Sequence, residues 1–151
     1  MANLLEIARW FLTHESMTHK KIQKLCYYAQ AWYCTLYDGT SFFKERIEAW
    51  VHGPVIPALY PHFADYRWEE IPQLKQIGKF DFNEKETRVL DAVYRTYGKF
   101  SGDELERLTH SESPWIEARG ELKPWEPCTA EITVSSMRAY YSKKYEQAQN
   151  D

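Results

Sequence analysis

The sequence predicts a mainly α, helix-dominated α+β fold: a single compact domain over residues 1–151, with about six helices and a small short-stranded β element. Three observations predict it. Apolar residues recur at helical spacing along most of the chain. Capping pairs, Asn83 with Glu86 and Ser101 with Glu104, mark helix starts. Period-two alternation is confined to one short run. At 151 residues, rich in rings with 6 Trp, 11 Tyr and 7 Phe, the chain can build a core without disulfide or metal staples.

Leu4, Leu5, Ala8, Phe11 and Leu12 give residues 3–13 one apolar face, the first helix. Thr18 suits the N-cap of a second, which runs to about Tyr37 and stops at Asp38-Gly39. Its continuous face is Ile22, Leu25, Cys26, Ala29, Trp32, Tyr33 and Leu36. The same helix contains KLCYYAQAWYC (24–34), with four rings and two cysteines, more than one core face needs.

In Arg46–His52, Ile47, Ala49 and Val51 alternate with Glu48, Trp50 and His52, as in a strand. The run ends at Gly53-Pro54, where Gly permits unusual dihedrals and Pro lacks a donor. Pro57 opens a short helix through Leu59, Tyr60 and Phe63. Residues 66–82, with Pro72 and Gly78, read as a loop. Asn83 and Glu86 then start a helix carrying Val89, Leu90, Val93, Tyr94 and Tyr97 and ending at Gly98. Ser101 to Glu104 opens one with Leu105 and Leu108, and Ser113-Pro114 another with Trp115, Ile116 and Ala118. Residues 121–130 are irregular. A short strand at Ile132–Val134 precedes a last helix from about Ser135, which presents Met137, Tyr140, Tyr141 and Tyr145.

The chemistry is sparse. Net charge is −3, and the basic clusters are only Lys20-Lys21 with Lys24, and Lys143-Lys144 after Arg138. Proteins that neutralise phosphates usually carry a basic stripe, so a nucleic-acid partner is disfavoured. There is no leader-like start and no apolar run near the roughly 18 residues of a membrane span. Cys26 and Cys34 would stand about 12 Å apart on one helix, too far to bridge. With Cys128 they make an odd set that points to the cytoplasm. The histidines at 14, 19, 52, 62 and 110 form no metal motif. No GxSxG or glycine-rich phosphate loop is present, and Cys26 lies on the apolar face, where thiols are inert. No catalytic residue, metal or cofactor is expected.

Two apolar features remain open to two readings. On the second helix, Tyr28 lies on the flank beside Lys24, and Tyr27 nearly opposite the core face. On the strand, Trp50 and His52 point away from Ile47, Ala49 and Val51. Other helices could cover these side chains. Alternatively Lys24, Tyr28, Trp50 and His52 form a partner surface, since exposed Tyr and Trp give large contact area at low entropic cost.

Three blocks taken together, Lys21–Trp32 (KIQKLCYYAQAW), Glu48–Tyr60 (EAWVHGPVIPALY) and Leu108–Ala118 (LTHSESPWIEA), resemble the Panacea domain, the antitoxin domain of SocA-like and phage-associated GepA-like proteins. The stretch from Ala49 through Gly53 and Pro54 is the most specific. Gly53, Pro54, His110, Pro114 and Trp115 are the positions of the matching motif to which the resemblance gives a structural role. It implies a small helical cytoplasmic domain of bacteria or their phages, encoded beside a toxin gene. Its partner would be the cognate toxin, neutralised by direct binding, with delivery to an ATP-dependent protease as a sub-case. Longer relatives add a DNA-binding or other segment, and autorepression through a separate DNA-binding domain is not expected here. The alternative is a nucleic-acid-binding regulator, with helices 102–110 and 114–119 as a winged-helix-like pair. The acidic balance argues against it.

Overall fold

Helix starts follow the capping chemistry. The computed structural model describes residues 1–75 and 79–150; Gly78, expected in the loop before the Asn83 cap, lies outside the described residues. Asn3 caps α1 (Leu4–Leu12) by accepting the Glu6 N–H, and Thr18 caps α2 (His19–Leu36) by accepting that of Lys21 at 3.2 Å. A turn of 3-10 helix at Pro57–Leu59 leads into the one-turn α3 (Tyr60–Phe63). Both expected capping boxes close, Asn83–Glu86 on α4 (Glu84–Tyr97) and Ser101–Glu104 on α5 (Gly102–His110). Each side-chain cap is worth about 1 kcal/mol. Pro114 sits in the first turn of α6 (Ser113–Arg119), and α7 (Val134–Asn150) follows an irregular stretch.

The second helix is the axis of the molecule. It touches α1, α4, α5 and α7, and every residue from 21 to 31 is buried. One apolar face cannot account for that, so the expectation of a single buried face is corrected. The far side is covered as well, chiefly by α7 and the end of α4. Tyr27 and Tyr28 are 1% and 0% exposed, whereas Leu36, expected in the core, is 40% exposed.

Because α2 has almost no wet side, its polar residues must find partners inside. Gln30 clamps passing backbone: its amide donates to Phe43 O at 2.8 Å and its carbonyl accepts the Phe42 N–H at 2.6 Å. Gln23 does the same to Ile56, giving to its carbonyl at 3.2 Å and accepting its N–H at 2.8 Å. Lys21 reaches Gly98 O at 2.6 Å and Glu15 at 3.0 Å, placing a cation at the C-terminal end of α4.

Among the described residues the β content is two small antiparallel pairs. Met17–Thr18 (β1) pairs with Glu70–Ile71 (β4), which corrects the reading of 66–82 as loop throughout. Glu48–Trp50 (β2) pairs with Gly53–Val55 (β3) around a turn at Val51-His52. The strand expected over Arg46–His52 is thus shorter, and Gly53-Pro54 begins its partner rather than ending the pairing. Pro54 is tolerated opposite Ala49 because Ala49 spends its backbone groups elsewhere. Its N–H goes to Ala130 O at 2.9 Å and its C=O accepts from Arg119 at 2.9 Å. Ala130 to Ile132 therefore lines the outer edge of β2 through one bridge, Glu48 to Glu131, and Ile132 N–H donates to Ile47 O at 2.9 Å. The strand expected at Ile132–Val134 is reduced to that bridge, because Val134 already starts α7.

Candidate functional site

Two polar clusters grow from the aromatic run of α2. The first is sealed. Tyr28 and Tyr141 both donate their hydroxyls to Glu112 Oε1 at 2.8 Å, while Lys144 Nζ reaches Oε2 at 3.1 Å. Tyr27 and Tyr141 share a hydroxyl hydrogen bond of 3.0 Å. The Tyr28 ring stacks on Tyr97 at 3.9 Å, and Trp32 Nε1 donates to the Tyr97 hydroxyl at 2.9 Å. Glu112 is 1% exposed, and a carboxylate withdrawn from water needs such donors. Burial first, then the Glu112 charge, raises the Tyr28 pKa, which keeps the phenol a donor. The excess of rings in KLCYYAQAWYC is the material of this knot.

The second cluster is open. Beside the β2–β3 hairpin and the start of α5 lies a groove of about 570 Å³, walled by Trp50, Tyr60 and Trp68, with His19 and Lys24 also lining it. The Trp50 and Tyr60 rings stand 5.6 Å apart, and His19 lies 4.8 Å from Tyr60. Trp68 is 79% exposed. It follows Arg67, a non-glycine residue at φ +55°, a conformation that costs strain unless its surroundings hold it.

Charge around the groove is unevenly paired. Lys20 Nζ bridges Asp103 at 2.8 Å and Glu106 at 2.7 Å, and His52 Nδ1 lies 3.4 Å from Glu106. Burial works to lower the Lys20 pKa, but the bonds to Asp103 and Glu106 outweigh it and raise it. Lys24 is 1% exposed and, among the described residues, its ammonium has neither a hydrogen bond nor an ion pair. Burial lowers its pKa to about 7; Glu106 pulls it partly back, and Lys20 pushes the same way as burial. Burial, helped by Lys24, lowers His19 to about 4.

The expected partner residues therefore separate. Lys24 and Tyr28 do not share an exposed flank: β3 at Gly53 covers Lys24, while Tyr97, Tyr141 and Glu112 enclose Tyr28. Trp50 is half-buried against Tyr60, and His52 is exposed at the turn. The groove joins Lys24, Trp50 and His52 and leaves Tyr28 out.

The motif residues brace this wall. Gly53 has φ +106°, and a Cβ there would stand 2.7 Å from Lys24 Cε and 3.0 Å from Thr109 Oγ1. Trp115 Nε1 donates to Trp50 O at 2.8 Å, and His110 stacks on Trp115 at 3.9 Å. Pro114 is buried at the start of the same helix. Arg119, which sequence reasoning missed, holds the Ala49 carbonyl and crosses the Trp115 ring at 4.8 Å. Its signal was its place one turn after Trp115. His19, Tyr60 and Trp68 were missed as groove residues because three separate segments bring them together.

The described residues contain no group of three or more His, Cys, Asp or Glu able to hold a metal ion. Burial pushes the Cys26 thiol up strongly and that of Cys34 up to about 11. No helix among the described residues is long and apolar enough to cross a membrane.

The three blocks pack on one another here, through Gln23 on Ile56, Trp115 on Trp50 and Tyr28 on Glu112. The chain belongs to the family described as antitoxin SocA-like, Panacea domain, whose model matches residues 22–116. No curated protein and no solved structure matches it.

Proposed function

We propose that the protein is an antitoxin that neutralises a cognate toxin protein by binding it directly, and that the aromatic groove is where the toxin docks. Membership of the SocA-like antitoxin family carries the class of function. The groove supports the location, since two of the three blocks line it, through Lys24 and Trp50, and Trp50 and Trp68 stand at its wall. The reading needs no catalytic group and places the protein in the cytoplasm with its toxin. The α5–α6 pair gains no support as a nucleic-acid reader, because Trp115 and Arg119 face inward on the hairpin.

Co-expression with the toxin encoded next to this gene tests the proposal. The wild-type chain should restore growth. Trp68→Ala and Trp50→Ala should keep their circular dichroism and weaken rescue, with Trp68→Ala also keeping its melting temperature. Full rescue by both variants would move the docking site elsewhere, and no rescue by the wild type would refute the antitoxin reading. Rescue that disappears in a host lacking its ATP-dependent proteases, with toxin then accumulating, would identify delivery rather than blocking.

A further inference from the structure

Among the described residues Lys24 has no carboxylate of its own. Asp103 is committed to Lys20, Glu106 to Lys20 and His52, and Glu112 to the tyrosine knot and Lys144. The Lys24 side chain is nonetheless buried and lines the groove. Above it, Trp50, Tyr60 and Trp68 offer apolar walls, and Arg67 adds positive charge, while that of Lys20 is matched by Asp103 and Glu106. An occupant suited to both features carries a negative group at depth and apolar surface beside it.

We infer that the groove receives a surface segment of the partner protein in which an Asp or Glu side chain reaches the Lys24 ammonium and an adjacent apolar side chain packs between Trp50, Tyr60 and Trp68. The identity of that partner as the toxin rests on the antitoxin reading above; the chemistry of the groove does not. Desolvating a charge normally opposes ion pairing. Here most of the lysine is already desolvated before the partner arrives, so the carboxylate carries the larger share of the water still to be lost. The pair then forms in surroundings where a charge-assisted hydrogen bond is strong. A side chain suits the site better than a chain terminus, because termini are captured by nests of backbone N–H groups and this floor presents an ammonium.

Three tripeptides test the inference through tryptophan emission of the purified protein. They are acetyl-Leu-Glu-Leu-amide, acetyl-Leu-Gln-Leu-amide, and acetyl-Leu-Gln-Leu with a free carboxyl end. The Glu peptide should bind saturably in the millimolar range, at least about tenfold tighter than the blocked Gln peptide. Lys24→Met should erase that difference while keeping or raising the melting temperature, since it removes a buried unpaired charge. No saturable change with the Glu peptide, equal binding of the two blocked peptides, or discrimination that survives in Lys24→Met would overturn the inference. Preference for the free-carboxyl peptide would overturn the side-chain source. In co-expression, Lys24→Met rescuing like the wild type overturns the inference and leaves the antitoxin reading standing. Failure of the wild type to rescue sinks that reading, and the peptide comparison still decides the groove.

Discussion

Tyr28 and Lys24 stand one helical turn apart on α2 and both are buried, yet their polar atoms end in opposite situations. The Tyr28 hydroxyl shares a carboxylate with Tyr141, inside a shell closed by α4, α6's leading residue Glu112 and α7. The Lys24 ammonium has burial without a partner and a groove in front of it. A satisfied buried group does structural work. An unsatisfied one costs stability, and proteins tolerate that cost chiefly where function uses it. The same sequence run thus serves the core at one turn and the surface at the turn before.

Breaking the sealed side should have the largest effect. Tyr28→Ala removes a stacked ring and one of Glu112's donors, so it should lose about 3–5 kcal/mol in denaturant unfolding. Tyr28→Phe keeps the ring and should lose about 1.5–3 kcal/mol, the range for a hydrogen bond to a charged group. Wild-type stability in Tyr28→Ala would mean that the knot is not sealed. Gly53→Ala comes next, at about 1–3 kcal/mol. Its φ is positive, and the added Cβ meets Lys24 Cε and Thr109 Oγ1. Because the added Cβ presses on Lys24, which lines the groove, the variant should also change peptide binding, which no Tyr28 variant that still folds should do.

This contrast shows why part of the molecule was legible in the sequence and part was not. Helix starts at Thr18, Asn83 and Ser101 are local, since cap and recipient lie within three residues, and all three form as expected. The strained glycine was legible too, because Gly followed by Pro at a change of period leaves few conformations. The burial of Tyr27 and Tyr28 was not. Helical periodicity reports one face, and what covers the other depends on α7, more than 100 residues downstream. The β1–β4 pair was invisible for the same reason: two residues at 17–18 meet two at 70–71 with no pattern of their own. The groove needed Trp50, Tyr60 and Trp68 to converge, and only Trp50 stood out by alternation.

The last effect concerns protons and belongs to the open side. Burial and the nearby Lys24 lower His19 from about 6.5 to about 4. Above pH 6.5 the ring is neutral whether the chain is folded or not, and its contribution to stability is fully present. Between 6.5 and 4 the unfolded chain binds a proton that the folded one refuses, so stability falls with pH across that window and levels off below it. His110, lowered by burial against the pull of Glu106, adds in the same direction. The tyrosines of the sealed knot are raised, not lowered, and contribute nothing to this acid window. His19→Gln keeps a polar group beside Gln23 and removes the titration. Its melting temperature should therefore drop less than the wild type's between pH 7 and pH 4.5, with the two curves converging as pH falls. Parallel curves would show that His19 is not held neutral. The groove floor would then be wetter than its burial implies, and the difference between the two ends of the aromatic run would shrink to one of packing alone.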